Sequence, residues 1–102
     1  MGFKRDNILT VCETPVGTIS VFIATIPDGV CEGQLTFYNR GATNLFIAVK
    51  NAVPTATSYY IYLAAGAAYT EEGIIAGDIH ALSDGAGGIL SFNASFSVRV
   101  GR

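Results

Sequence analysis

The stretch LSFNASFSVRV, residues 90–100, decides the fold class of this chain, because apolar and polar residues alternate along it without interruption. Successive side chains of a β-strand point to opposite faces of its sheet, so the alternation predicts a half-buried strand. Its core face is predicted to consist of Leu90, Phe92, Ala94, Phe96, Val98 and Val100. Its solvent face is predicted to consist of Ser91, Asn93, Ser95, Ser97 and Arg99. A helix is excluded, since a rotation of about 100° per residue would scatter both sets around the helix axis.

Upstream of this strand, seven shorter segments are rich in β-branched and aromatic residues and are separated by turn signals. They are residues 8–12, 18–25, 33–39, 45–49, 59–63, 69–75 and 77–83. Turns or loops are expected at residues 14–17, 27–29, 64–68 and 84–88. The segments 33–39 and 45–49 are expected to pair as a hairpin. Eight strands without a helix predict an all-β fold, an antiparallel β-sandwich or jelly roll, with a small β-barrel as the alternative.

The length and composition predict one domain that carries little charge. We expect a flexible N-terminal arm at residues 1–7 and a single β-sandwich domain at residues 8–102. Charged residues make up 14% of the chain and the net charge is −2, which argues against a disordered chain and a free nucleic-acid-binding protein. Since half of the residues are hydrophobic, part of the surface is expected to be buried in an assembly.

No segment has the pattern of a targeting or membrane sequence. The apolar run at residues 8–12 ends at Glu13, which is too short for a signal peptide, and no apolar run reaches the ~20 residues of a membrane helix. Cys12 and Cys31 are therefore expected to be free, buried thiols, although a disulfide between adjacent strands stays open.

The sequence lacks the residue constellations that an enzyme or a metal site needs. His80 is the single histidine, and it shares a predicted strand face with Asp78, but no further ligand accompanies the two. The chain contains no nucleophile elbow. The loop at residues 84–88 lacks the acids of a calcium site and the Lys-Ser/Thr pair of a phosphate loop. We predict a protein that is not an enzyme, with no catalytic residue, metal or cofactor.

Three neighbouring tyrosines predict a displayed aromatic surface. On a strand, Tyr60 and Tyr62 share one face, while Tyr59 lies on the other. If the face of Tyr59 is the core, Tyr60 and Tyr62 point outward and favour a protein interface, with cross-strand packing or sugar stacking as alternatives. Arg40, in a polar loop, is a further candidate for an interface contact.

A series of strand and turn motifs carries a family resemblance. The motifs are FYNRG at residues 37–41, NLFIAV at residues 44–49, AAG at residues 64–66, GDIHALS at residues 77–83 and SVRV at residues 97–100. In this order they resemble small bacteriophage virion proteins of the head-decoration, or cement, type. Two features depart from that pattern: residues 64–68 replace a Pro-Gly-Glu-like turn, and the last strand is longer.

The resemblance implies a structural β-sandwich that binds the capsid and reinforces the contacts between shell subunits, commonly as a homotrimer at three-fold positions. The major capsid protein would be its partner, with no nucleic acid or membrane involved. The protein would be made in the host cytoplasm and located on the capsid surface of the virion. We expect the contacts to involve Arg40, Tyr60 and Tyr62, together with Phe3, Lys4 and Arg5 of the N-terminal arm.

Two alternatives stay open at this point. A carbohydrate-binding β-sandwich of a phage tail or fibre would use the displayed aromatic residues to stack on sugars. A small jelly-roll enzyme such as a cupin would need several metal-binding histidines, and the single histidine argues against it.

Overall fold

Eight β-strands make up the regular structure of the computed structural model, which describes residues 3–72 and 76–100. The strands are β1 (Phe3–Val16), β2 (Val21–Ile26), β3 (Val30–Asn39), β4 (Leu45–Ala48), β5 (Ile61–Leu63), β6 (Ala68–Glu71), β7 (Gly77–Ser83) and β8 (Gly88–Val100). Every pair of neighbouring strands is antiparallel. Within these ranges no helix is long and apolar enough to cross a membrane.

The strands form two four-stranded sheets that pack face to face. Sheet A has the order β1-β8-β3-β6, and sheet B has the order β2-β7-β4-β5. Every connection except the one from β4 to β5 crosses from one sheet to the other. This is the strand order of a jelly roll, so the predicted antiparallel sandwich is confirmed.

The alternating segment forms the centre of sheet A. β8 pairs with β1 on one side and with β3 on the other, and it begins two residues earlier than predicted, at Gly88. The side chains of Leu90, Phe92, Ala94 and Phe96 are buried as predicted, whereas the side chains of Val98 and Val100 lie outside the described residues. Phe92 packs on Phe37 of β3 with ring centroids 5.2 Å apart. The period-2 pattern therefore identifies the strand on which the core is built.

The inner faces of the two sheets supply a single hydrophobic core. Sheet A contributes the β8 residues together with Leu35 and Phe37 of β3. Sheet B contributes Ile23, Ala24, Ile26, Leu45, Ile47, Ile61, Leu63, Ile79 and Ala81. Cys12 packs partly buried against this core and is free, whereas the side chain of Cys31 lies outside the described residues.

The predicted hairpin of residues 33–39 and 45–49 is wrong, because β3 belongs to sheet A and β4 to sheet B. β4 is buried on both faces, so it lies inside sheet B between β7 and β5. The short loop between β3 and β4 crosses the end of the sandwich instead of reversing within one sheet. Its anchor is Asn39, whose buried Nδ2 donates to the carbonyl oxygens of Thr43 (2.7 Å) and Leu63 (2.9 Å).

The turn predicted at residues 14–17 begins later, because β1 continues through Pro15 to Val16. Pro15 is opposite Ile89 of β8, and the carbonyl oxygen of Ile89 accepts a hydrogen bond from Arg40 on its other side. The nitrogen of Pro15 therefore faces the free edge of β1, where no ladder hydrogen bond is lost. The backbone of residues 3–7 lies in β1, and the boundary between an arm and the domain stays a prediction.

Candidate interaction surface

The outer face of sheet B carries a continuous group of aromatic and aliphatic side chains. Cross-strand pairing places Phe22 of β2 opposite His80 of β7. It also places Phe46 of β4 between Leu82 of β7 and Tyr62 of β5. We call Phe22, Phe46, Tyr59, Tyr62, His80 and Leu82 the aromatic face. None of these six residues carries a carboxylate, an ammonium or a guanidinium group.

Phe46 lies at the centre of the aromatic face. Its ring centroid is 5.2 Å from that of Tyr59 and 5.5 Å from that of Tyr62, and all three rings are tilted relative to one another. Such tilted contacts are typical of stable aromatic pairs. Phe46 is only 8% exposed, whereas Tyr59 and Tyr62 are 46% and 48% exposed. The two tyrosine rings are thus held in place by Phe46 and present their other sides to solvent.

Phe22 and His80 extend the aromatic face across β2 and β7. Their rings meet edge-on, with centroids 5.8 Å apart and an interplanar angle of 75°. Phe22 is 51% exposed. The Nδ1 atom of His80 is buried and has no hydrogen-bond partner. Burial of an unpaired polar atom costs stability, which makes His80 an unfavourable residue for the fold at this position.

Charged groups lie at the border of the aromatic face. The carboxylate of Asp78, two residues before His80 on β7, accepts a hydrogen bond from the Thr25 hydroxyl at 2.7 Å. The backbone N–H of Asp78 donates to Oδ1 of Asn51 at 2.7 Å. Asp78 and His80 share the outer face of β7, as predicted. No group of three or more potential metal ligands occurs among the described residues.

A hydrogen-bonded cluster connects the two sheets at their β5 and β6 edges. The hydroxyl groups of Tyr60 and Tyr69 both donate to Oε1 of Glu71, at 3.0 Å and 2.9 Å. These hydrogen bonds hold the phenols in their neutral form, and with desolvation and the nearby carboxylate charge they raise the pKa of Tyr60 and of Tyr69. Tyr60 precedes β5 in sheet B, whereas Tyr69 and Glu71 belong to β6 in sheet A.

The tyrosines are therefore grouped differently from the strand prediction. β5 begins only at Ile61, so strand alternation does not extend back to Tyr59 and Tyr60. Tyr59 joins Tyr62 on the aromatic face, and Tyr60 turns toward Glu71 at the edge of the sandwich. The outward position of Tyr62 agrees with the prediction.

A groove adjoins the aromatic face at Tyr59. Its volume is about 440 Å³, and the loop between β4 and β5 forms most of it. Val53 and Tyr59 are among its apolar walls, and Lys50 and Ser58 provide polar groups. Lys50 adopts a positive φ of 59°, a left-handed conformation that side-chain-bearing residues rarely adopt outside turns.

The remaining predicted contact residues lie elsewhere. Arg40 is in the loop between β3 and β4, where its Nε lies 3.3 Å from Oε2 of Glu13 on β1, and both side chains are exposed. This loop adjoins the Leu63 end of β5, whereas Tyr60 precedes the other end. The side chains of Phe3, Lys4 and Arg5 are outside the described part of the chain. The structure thus does not group Arg40 with the tyrosines.

Sequence reasoning missed Phe22, Phe46 and His80 as members of one surface. A signal existed, because residues 18–25 and 45–49 are apolar on both strand faces. Such a pattern indicates a strand whose outer face is also covered or apolar, but it does not reveal which strands are neighbours. The order β2-β7-β4-β5 was needed to bring these residues together.

Comparison with known proteins identifies the fold. A chain from the structure of Bacillus endospore appendages, which form disulfide-linked pili, matches with a TM-score of 0.71 and 13% identity, covering 98% of this chain and 93% of that chain. A chain from the acid-stable capsid of a Helicobacter pylori bacteriophage matches with a TM-score of 0.63 and 11% identity, covering 100% and 98%. No family model matches this sequence, and a search of curated proteins also found no match.

Proposed function

We propose that the chain is a structural protein of a bacteriophage particle, a capsid decoration protein that binds the shell and stabilises it. The observation that carries this proposal is the aromatic face on a chain with only 14% charged residues. The largest contiguous apolar patch on a soluble protein is often a functional contact surface. A sandwich of two packed four-stranded sheets suits a passive, non-enzymatic role.

The fold comparisons support the same class of function. One matching chain comes from a phage capsid structure and another from endospore appendages that form disulfide-linked pili. Fold alone does not determine function, so these likenesses add weight only together with the exposed face.

The mechanism is thermodynamic. A protein that binds neighbouring major capsid subunits only in the assembled shell stabilises that state by mass action, without a chemical step. At a concentration of 100 times its dissociation constant, each bound copy adds about 2.7 kcal/mol to the assembled state. Many copies on one shell therefore raise its resistance to heat and mechanical stress.

The contact residues of this role stay proposals. Tyr62 is exposed and available to a partner, and Tyr60 is exposed while it hydrogen-bonds Glu71. Arg40 is exposed beside Glu13. We retain these three with Phe3, Lys4 and Arg5 of the N-terminal segment, and we propose a homotrimer on the capsid surface.

The test uses heads of the phage that encodes the chain, prepared with and without it. We expect the purified chain to co-sediment with heads that lack it and to raise the temperature at which those heads open. Heat-treated or unrelated heads serve as the control for nonspecific binding. A chain that fails to bind intact heads, or that antibodies locate on the tail of the virion, is not a capsid decoration protein.

The groove at Tyr59 favours a second candidate, a carbohydrate-binding module of a phage tail or fibre. Aromatic rings beside the polar groups of Lys50 and Ser58 can stack on and hydrogen-bond a sugar. Glycan-array screening tests this candidate, and binding that is lost in Tyr59→Ala would support it.

A further inference from the structure

We propose that the aromatic face of sheet B is the surface through which copies of this chain contact one another. This inference rests on the proposed structural role and assigns the aromatic face, Tyr62 included, to the contact between copies, which leaves Arg40, Tyr60 and the N-terminal segment for the contact with a shell. Phe22, Tyr59 and Tyr62 are the anchors of the contact. The buried ring of Phe46 packs against both tyrosines and holds them in place.

The size of the face suits a contact between copies. An aromatic side chain presents 150–250 Å² in total, so three half-exposed rings offer roughly 300 Å². His80 and Leu82, both partly exposed, together with Val53 of the adjoining groove increase this to roughly 500 Å². Two such faces in contact remove about 1,000 Å² from solvent, which is the lower limit for a specific interface. The contact is therefore expected to be reversible and to depend on concentration.

The chemistry of the face selects a copy of this chain as its occupant. When copies pack around a two-fold or three-fold axis, each residue near the axis meets the same residue of another copy. A charged residue at such a position would face a like charge, and like charges destabilise a contact. The six residues of the aromatic face have no carboxylate, ammonium or guanidinium group. The charged groups lie at its border: Asp78 is bound there by Thr25, and Lys50 lies in the adjoining groove.

The outer face of sheet A does not complement the aromatic face. The outer face of sheet A presents the hydroxyl and amide groups of Thr36, Ser91, Asn93 and Ser95, together with Tyr38. Covering these groups with an apolar surface would leave hydrogen-bonding atoms without water. Of the two outer sheet faces that a second copy presents, its own aromatic face is thus the one that complements this surface.

Light scattering of the purified full chain over a wide range of concentrations tests the inference. We expect the wild-type mass to rise above that of a monomer with increasing concentration. Tyr62→Lys and Phe22→Lys, at opposite sides of the face, are each expected to weaken self-association by about a hundredfold, because an unpaired ammonium group would be buried in the contact. Asn93→Lys places the same charge on the outer face of sheet A and is the matched control, expected to leave self-association within about threefold of wild type.

Circular dichroism and thermal unfolding establish that the three variants are folded, and the Tyr62 and Phe22 substitutions are exposed enough to serve as independent tests. A wild-type chain that is monomeric at every concentration overturns the inference. Self-association that survives both face substitutions, or that Asn93→Lys alone abolishes, also overturns it. Monomeric variants that still bind phage heads would show that the contact between copies is separate from the contact with the shell. A wild-type chain that self-associates but does not bind phage heads would refute the decoration role and leave this inference standing.

Discussion

The outer faces of the two sheets differ in chemistry although both cover the same core. The outer face of sheet A is largely polar, because β8 alternates strictly and turns Ser91, Asn93 and Ser95 outward. The outer face of sheet B is aromatic, because β2 and β4 are apolar at successive positions and turn Phe22 and Phe46 outward. A sheet whose outer face meets only water needs the first pattern, and a sheet that meets another protein tolerates the second.

Positions that are buried inside the fold and positions that are covered by another protein therefore leave different patterns in a sequence. The inner positions of both sheets are apolar for stability of the fold. The half-exposed rings of Phe22, Tyr59 and Tyr62 add little to that stability, so another constraint must account for them. The substitutions below separate these two contributions.

The largest effect is expected in the core shared by both faces. Phe92→Ala removes a fully buried ring that packs on Phe37, and the resulting cavity is expected to lower the free energy of unfolding by about 3–5 kcal/mol. Tyr62→Ala on the aromatic face is the comparison, with an expected loss of about 1 kcal/mol or less for the monomer. Urea denaturation at low protein concentration measures both. Equal losses would mean that the aromatic face is part of the core and not a separate surface.

The second effect concerns the junction at which the two sheets are joined. Asn39→Ala leaves the carbonyl groups of Thr43 and Leu63 without the Nδ2 donor, and the N–H of Gly41 without its acceptor. Since Asn39 is 0% exposed, we expect a loss of about 2–3 kcal/mol, measured by the same denaturation. Asn44→Ala is the matched control with a smaller expected loss, at a half-buried loop position whose Nδ2 donates to Asp84 and whose Oδ1 accepts from the N–H of Ala65. An Asn39→Ala variant as stable as wild type would show that the loop is anchored by other contacts.

The third effect distinguishes the two outer faces by whether a substitution to leucine raises the free energy of unfolding. His80→Leu removes the buried, unpartnered Nδ1 atom from the aromatic face and keeps an apolar side chain beside Phe22. We expect the variant to be more stable by about 1 kcal/mol, because an unsatisfied polar group is replaced by an apolar one. Ser95→Leu on the outer face of sheet A is expected to change stability by less than about 0.5 kcal/mol. A less stable His80→Leu variant would indicate that Nδ1 has a partner in solution.

More of the fold than of the candidate surface could be predicted from the sequence. Strict alternation in residues 90–100 and turn signals around residues 77–83 predicted β8 and β7 closely, since period and turn chemistry are local properties. The hairpin of β3 and β4 was predicted wrongly because a short polar loop can either reverse a strand or cross to another sheet. The aromatic face depends on which strands are neighbours, and neighbouring strands come from distant parts of the chain.

The smallest effect tests the edge at which the two outer faces meet. Glu71 accepts hydrogen bonds from Tyr60 and Tyr69, and this raises the pKa of both phenols above the ordinary value of 10.0. Because the pKa of each phenol is raised in the folded state, the hydrogen bonds to Glu71 stabilise the fold below pH 10. This stabilisation is lost as the pH rises through the folded-state pKa. Glu71→Gln is expected to bring the ionisation of both tyrosines to lower pH, which the ultraviolet absorbance of tyrosinate measures. Glu72→Gln is the neighbouring control, and a titration that Glu71→Gln does not change would mean that the edges of β5 and β6 are not joined by this carboxylate in solution.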